Sequence, residues 1–195
     1  LQSLGGGIKL IDNLNELKSI LKYEKTLYPN HLYDYITLNQ RVYNWRFVRA
    51  LRWAEFFHSK MKSTKNPFYS LLYLAVCRKK NRIGIKIGIE IDVNTFAPGL
   101  LIHHNGNIVI NNGAIIGRDC QLHGDNCIGN RGSFQKDGFP VIGNNVDIGV
   151  GAKIIGPVRI ADNVRIGANA VVVSSFDEPG TTIVGIPARV VRRHS

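Results

Sequence analysis

The chain has 195 residues, 44% of them hydrophobic and 20% charged, a mixture that excludes a predominantly disordered protein. It has room for one substantial core, or for a compact repeat domain with a small attached unit. The net charge of +11 is uneven: residues 1–80 carry 14 basic and 5 acidic side chains, residues 81–195 carry 11 and 9. A basic first half could meet phosphate, an anionic lipid surface or an acidic polymer, but no nucleic-acid-binding module accompanies it and no nucleic acid is expected as a partner.

In chain order, residues 1–7, LQSLGGG, lack a basic stretch followed by an apolar run and read as an appended segment rather than a signal peptide. From Asn13 to Tyr28, Leu14, Leu17, Ile20, Leu21 and Leu27 recur at mostly helical spacing, and Pro29 ends the run. A second helix is expected from about Leu32 to Lys62, where Tyr35, Leu38, Val42, Trp45, Val48, Leu51 and Phe56 recur every three or four residues. A third begins at Asn66-Pro67, an N-cap followed by a proline in the first turn. The many aromatics here suit packing between helices or against a partner subunit. The ten residues Phe68 to Cys77 are too few to span a bilayer, so no integral membrane segment is expected. A buried helix, or one lying on a surface beside Arg78, Lys79 and Lys80, accounts for them, and peripheral membrane contact stays open. Cys77, Cys120 and Cys127 form no close pair or metal-ligand cluster, which fits reduced thiols in a cytoplasmic protein.

Beyond residue 83 the pattern changes. Aliphatic residues recur every six positions, first at Ile110, Ile116, Leu122 and Ile128, then at Ile142, Ile148, Ile154, Ile160, Ile166 and Val172. Four residues after members of this column comes a smaller one, including Ala114, Cys120, Val146, Ala152 and Ala170. A period of six fits neither an α-helix nor a long alternating strand. It fits a β-helix of short strands and turns, three hexads to a triangular coil of 18 residues. The organisation expected is therefore a helical unit over 8–80, a coil over 83–183 and a closing segment over 184–195. The two series are out of phase: Ile128 to Ile142 is 14 residues, two more than two hexads. The stretch Gly129 to Pro140 is expected to leave the coil as a loop and help complete a binding groove.

The passages GLLIHHNGNIVIN at 99–111, PVIGNNVDIGVGAKIIGPVRIADNVRIGANAVV at 140–172 and VGIPARVV at 184–191 resemble the hexapeptide-repeat acyltransferases. Within them, the resemblance is to the serine acetyltransferase branch and its relatives that O-acetylate sugars of capsules and other polysaccharides. It covers roughly Ile89 to Val191. It implies a left-handed parallel β-helix with an α-helical N-terminal unit, acetyl-CoA as acyl donor, and a homotrimer with active sites at subunit boundaries.

The resemblance also assigns residues. A hydroxyl is a poor nucleophile near neutral pH, so a general base must remove its proton, and His104 stands at the matching position. It lies six residues before Ile110, in the aliphatic register, so an irregular coil is needed to bring its ring to a cleft. The acid that orients the ring matches Glu90, with Asp92 as competitor. For CoA, the matching positions are Asn130, Val150 (where alanine is more usual) and Ala168, with Lys153, Arg165 and Arg189 as candidates for its phosphates. Two departures bear on the acceptor. The serine enzymes carry Asp-His where this chain has His103-His104, and a histidine before the loop proline where it has Phe139. These changes favour the hydroxyl of a sugar or glycan precursor, with L-serine as the alternative. A non-catalytic scaffold is a further alternative, and so is a metal site built on His103, His104 and His123, although their spacing supplies no coordination geometry and no metal is expected.

Overall fold

The computed structural model describes residues 8–28, 31–132 and 138–193. Residues 1–7, read above as an appended segment, lie outside them, as does the middle of the expected loop.

Four helices come first: α1 (Leu14–Thr26), α2 (Leu32–Ile36), α3 (Gln40–Thr64) and α4 (Pro67–Ile87). Asn13, Asn39 and Asn66 cap α1, α3 and α4, each side-chain oxygen accepting a backbone N–H of the first turn. The single helix expected over 32–62 is two. The chain breaks at Leu38, whose φ of 52° is left-handed, and Asn39 then restarts it as a cap. The last helix runs to Ile87, past the expected end of the helical unit. Gly84 lies inside it: a Cβ there would sit 2.4 Å from the Ile89 carbonyl oxygen and 3.1 Å from the Phe47 ring. Only a glycine lets α4 press this closely on both α3 and the start of the coil.

From Ile89 the chain winds into a left-handed parallel β-helix with three sheets. One sheet is β1 (Ile89–Ile91), β3 (Ile108–Ile110), β6 (Cys127–Gly129), β9 (Lys153–Ile155) and β12 (Val171–Val172). The second is β4 (Ile115–Ile116), β7 (Val141–Ile142) and β10 (Arg159–Ile160). The third joins β2 (Leu101–Ile102), β5 (Gln121–Leu122), β8 (Asp147–Ile148), β11 (Arg165–Ile166) and β13 (Thr181–Gly185), with β14 (Ala188–Arg193) folding back antiparallel on β13. The hexad aliphatics stack inside as three columns: Ile110, Ile128, Ile154 and Val172; Ile116, Ile142 and Ile160; Ile102, Leu122, Ile148, Ile166 and Ile183. The small column of Ala114, Cys120, Val146, Ala152 and Ala170 is buried beside them.

Regular steps, such as Ile154 to Val172, are 18 residues, while Ile128 to Ile154, Leu122 to Ile148 and Ile116 to Ile142 are all 26. The segment after Ile128 thus adds eight residues to one coil. Burial pushes the Cys120 thiol in this core up to about 12, and Cys77, Cys120 and Cys127 are all unpaired.

The first coil has no strand before it, so its leading edge would expose unpaired backbone groups. Helix side chains fill that role. Arg52 donates to the carbonyls of Phe96 and Ala97, and Glu24 accepts from the N–H groups of Gly99 and Leu100. The Tyr28 hydroxyl donates to Leu100 O and accepts from Ile102 N–H, Asn44 donates to Ile102 O, Glu55 accepts from Asn94 N–H, and Lys80 reaches Ile91 O. Arg52 is itself buried between Glu24 and Glu55, at 2.8 Å from each. Burial alone would lower its pKa; the two carboxylates override that and raise it. Replacing Arg52 with methionine strands two buried carboxylates and unpairs two carbonyls. We expect a loss of about 3–5 kcal/mol in urea unfolding, with lysine failing to restore it because one ammonium cannot match the guanidinium fork.

Candidate functional site

His104 sits at the corner between β2 and β3. Elsewhere this corner takes six residues between interior positions, as from Leu122 to Ile128, but from Ile102 to Ile110 it takes eight. Ile102, two residues earlier, fills the interior register, and the widened turn carries His104 outward into solvent. The irregular coil expected from the sequence is this turn. Asn107 (φ 49°) and Gly106 (φ 97°) supply its left-handed conformations. The helical unit braces the turn from below. Gly106 N–H donates to Ile87 O at the end of α4, and Ile108 N–H to Gly88 O.

At the same corner of later coils stand Gly124, Val150 and Ala168, each two residues after the interior Leu122, Ile148 and Ile166. A Cβ on Gly124 would lie 3.3 Å from the His104 Cβ, so glycine leaves the ring room. Val150 and Ala168 are exposed, and Asn169 N–H donates to Val150 O. His104 and two residues expected to wall a CoA channel therefore share one open edge of the prism.

The other expected residues divide between the faces that meet there. On one face Glu90, Val109, Cys127 and Lys153 form an outward row. Glu90, Asp92 and Asn130 line a groove of about 340 Å³ with Cys127. Lys153 reaches the backbone and side-chain oxygens of Asp125. On the other face Arg165 lines a groove with Gln121, Asp147 and Asn163. Arg189, in β14 opposite Val184, is exposed and donates to Ala188 O. The Phe139 ring lies on Gly113, where a Cβ would fall 2.4 Å from it.

Three features escape the sequence reading. The Nε2 of Gln40, first residue of α3, is 3.0 Å from His104 Nδ1, the atom that Glu90 or Asp92 is expected to orient. Neither carboxylate is among the ring's hydrogen-bond partners in the described residues. The His103 and His123 rings stack at 4.3 Å, and His123 Nε2 pairs with Asp147 at 2.7 Å while His103 Nε2 meets Gln121 at 2.9 Å. The Gln40–His104 contact across 64 residues and the His123–Asp147 contact across the step lengthened by the loop leave no periodic signal; only the paired register aligns Asp147 with Gln121. Among the described residues no group of three or more His, Cys, Asp and Glu side chains could hold a metal ion.

The two coil cysteines report on these environments. Cys127 lines the Glu90 groove, whereas Cys120 is sealed in the core with its thiol disfavoured as thiolate. Iodoacetamide at pH 8 should modify Cys127 and leave Cys120 unmodified in the native protein, as read by peptide mass spectrometry.

The family model for the bacterial transferase hexapeptide (six repeats) matches residues 139–174. A serine acetyltransferase of Synechococcus elongatus is 39% identical over 108 residues, 54% of this chain and 43% of that protein. The solved serine acetyltransferase of Neisseria gonorrhoeae superposes with a TM-score of 0.69 at 26% identity, covering 93% of this chain and 68% of the other. A soybean serine acetyltransferase solved with serine gives 0.59 at 27%, covering 76% and 58%. The chain spans less than half the length of the cyanobacterial relative. In its coil and in the helical unit that caps it, the chain is similar to these serine acetyltransferases, and its repeats match the bacterial transferase hexapeptide.

Proposed function

We propose that the chain is an acetyl-CoA-dependent O-acetyltransferase with His104 as general base. The observation that carries this is the open edge on which the exposed His104 lines up with Val150 and Ala168. The thioester lies along that edge, Val150 narrowing its reactive end, with Asn130, Lys153, Arg165 and Arg189 available to the nucleotide. A single chain offers one wall of such a channel. A trimer would supply the second, and the exposed Val109 and Val150 are suited to face it.

In the reaction the acceptor hydroxyl attacks the thioester carbon. His104 Nε2 takes its proton, the C–O bond forms, the C–S bond breaks, and the proton passes to the CoA sulfur. This requires a ring protonated on Nδ1. As it stands, the Gln40 amide nitrogen can only donate, which puts the neutral ring's proton on Nε2. A half-turn of that amide presents its oxygen to Nδ1–H and frees the Nε2 lone pair. Gln40 is thus the positioning residue of this scheme, with Glu90 or Asp92 supporting the same charge from the neighbouring groove.

For the acceptor, the names of the relatives favour L-serine over the sugar hydroxyl expected from the sequence. The sugar reading keeps one specific support. His103 is stacked on His123 and Phe139 lies on Gly113, where the serine enzymes carry an aspartate and a histidine.

Purified protein with acetyl-CoA and separate L-serine and sugar acceptors tests both readings by thiol release. Transfer to serine supports the first, transfer only to sugars the second, and no transfer to any acceptor supports a scaffold. His104→Ala should lower kcat about 10²–10⁴-fold. Gln40→Ala should lower kcat with KM little changed. Gln40→Glu should retain activity while moving the acidic limb of the pH–rate profile upward, because a carboxylate beside an imidazole favours the imidazolium.

A further inference from the structure

The α3–α4 hairpin carries a surface that acyl transfer does not use. Residues 40–87 contain twelve Lys and Arg and one acidic residue, Glu55, which is buried against Arg52. No carboxylate therefore faces solvent anywhere on these two helices. Six of the cations, Arg46, Arg49, Arg78, Lys79, Arg82 and Lys86, line one groove of about 740 Å³. Arg46 and Lys86 both sit over the Tyr43 ring, at 5.4 and 4.8 Å from its centre. Among the described residues none of the six pairs with a carboxylate. Cations gathered this closely repel one another, and among the described residues only the Tyr43 ring, with no carboxylate, offsets the repulsion.

The exposed stripe of α4 is also apolar. Phe68, Leu71, Leu74 and Ile85 are 59, 65, 64 and 85% exposed. At 100° per residue they share a face with Arg78 and Arg82. Large apolar side chains in water beside unneutralised guanidinium groups are the pattern of a helix lying in the plane of a bilayer surface, its apolar residues among the acyl chains and its cations at the headgroups. No helix among the described residues is long and apolar enough to cross a membrane.

We propose that this face of the α3–α4 hairpin docks on an anionic lipid leaflet. A soluble phosphate compound would neutralise the groove and leave Leu71 and Leu74 in water. A second copy meeting the same face about a two-fold axis would bring cations against cations. An anionic bilayer satisfies both halves of the pattern.

Vesicle co-sedimentation of the full chain tests this, comparing phosphatidylcholine alone with phosphatidylcholine mixed with phosphatidylglycerol. At low salt the anionic vesicles should bind at least about tenfold more protein, and the preference should fall as salt rises. Arg78→Gln with Arg82→Gln should weaken binding about tenfold. Leu71→Gln with Leu74→Gln should weaken it without changing the salt dependence. All four positions are on the surface, so the melting temperature and acetyl transfer to a soluble acceptor should be unchanged. Equal binding to both vesicles, no binding, or full binding by both variants would overturn the proposal. So would self-association in sedimentation velocity abolished by the leucine variant, or retention only by an acidic protein or heparin.

Discussion

A parallel coil can grow indefinitely along its axis, and the difficulty lies in stopping it. Each turn pairs its backbone with the next, so the first turn carries N–H and C=O groups with no neighbour below. In this chain Arg52, Glu24, Glu55, Tyr28, Asn44 and Lys80 supply the missing partners one by one. The helical unit is thus a cap made of side chains. Its charged members survive burial because the guanidinium pairs with both carboxylates and all three spend their remaining donors and acceptors on the coil. At the other end the problem is met differently. The chain folds back as β14, whose edge carries Arg189, Arg192 and Arg193, charges that discourage a further strand.

The same cap shapes the His104 corner. The end of α4 holds the backbone of the His104 turn through Ile87 and Gly88, and the start of α3 holds the ring through Gln40. A histidine on an exposed turn would sample many rotamers. Here the backbone of the turn is tied to one helix and the ring to another, which narrows the orientations open to it.

Much of this was legible in the sequence, and the reasons are physical. The hexads read clearly because each interior position must hold an aliphatic group of similar size, as Ile110, Ile128, Ile154 and Val172 do. The exposure of His104 followed from its placing a polar ring in the aliphatic register. The helix break at Leu38 did not show, because leucine at a left-handed φ carries no local mark. The extension of the last helix past residue 80 did not show either, because Gly84 answers a close approach by Ile89 and Phe47, a tertiary demand with no local mark. Gln40, His123 and Asp147 were out of reach, since their partners lie on other elements and polar surface pairs follow no repeat. The expectation of a sugar acceptor rested on two substituted side chains, His103 and Phe139, against relatives whose names point to serine.

The long step after Ile128 has a consequence for how such a protein can change over generations. All three interior columns lengthen by the same amount where the segment leaves the coil, so the stacking above and below is indifferent to its size. Insertions or deletions there change the length of that segment without moving one aliphatic out of line. Selection on that segment and selection on the core are thereby uncoupled.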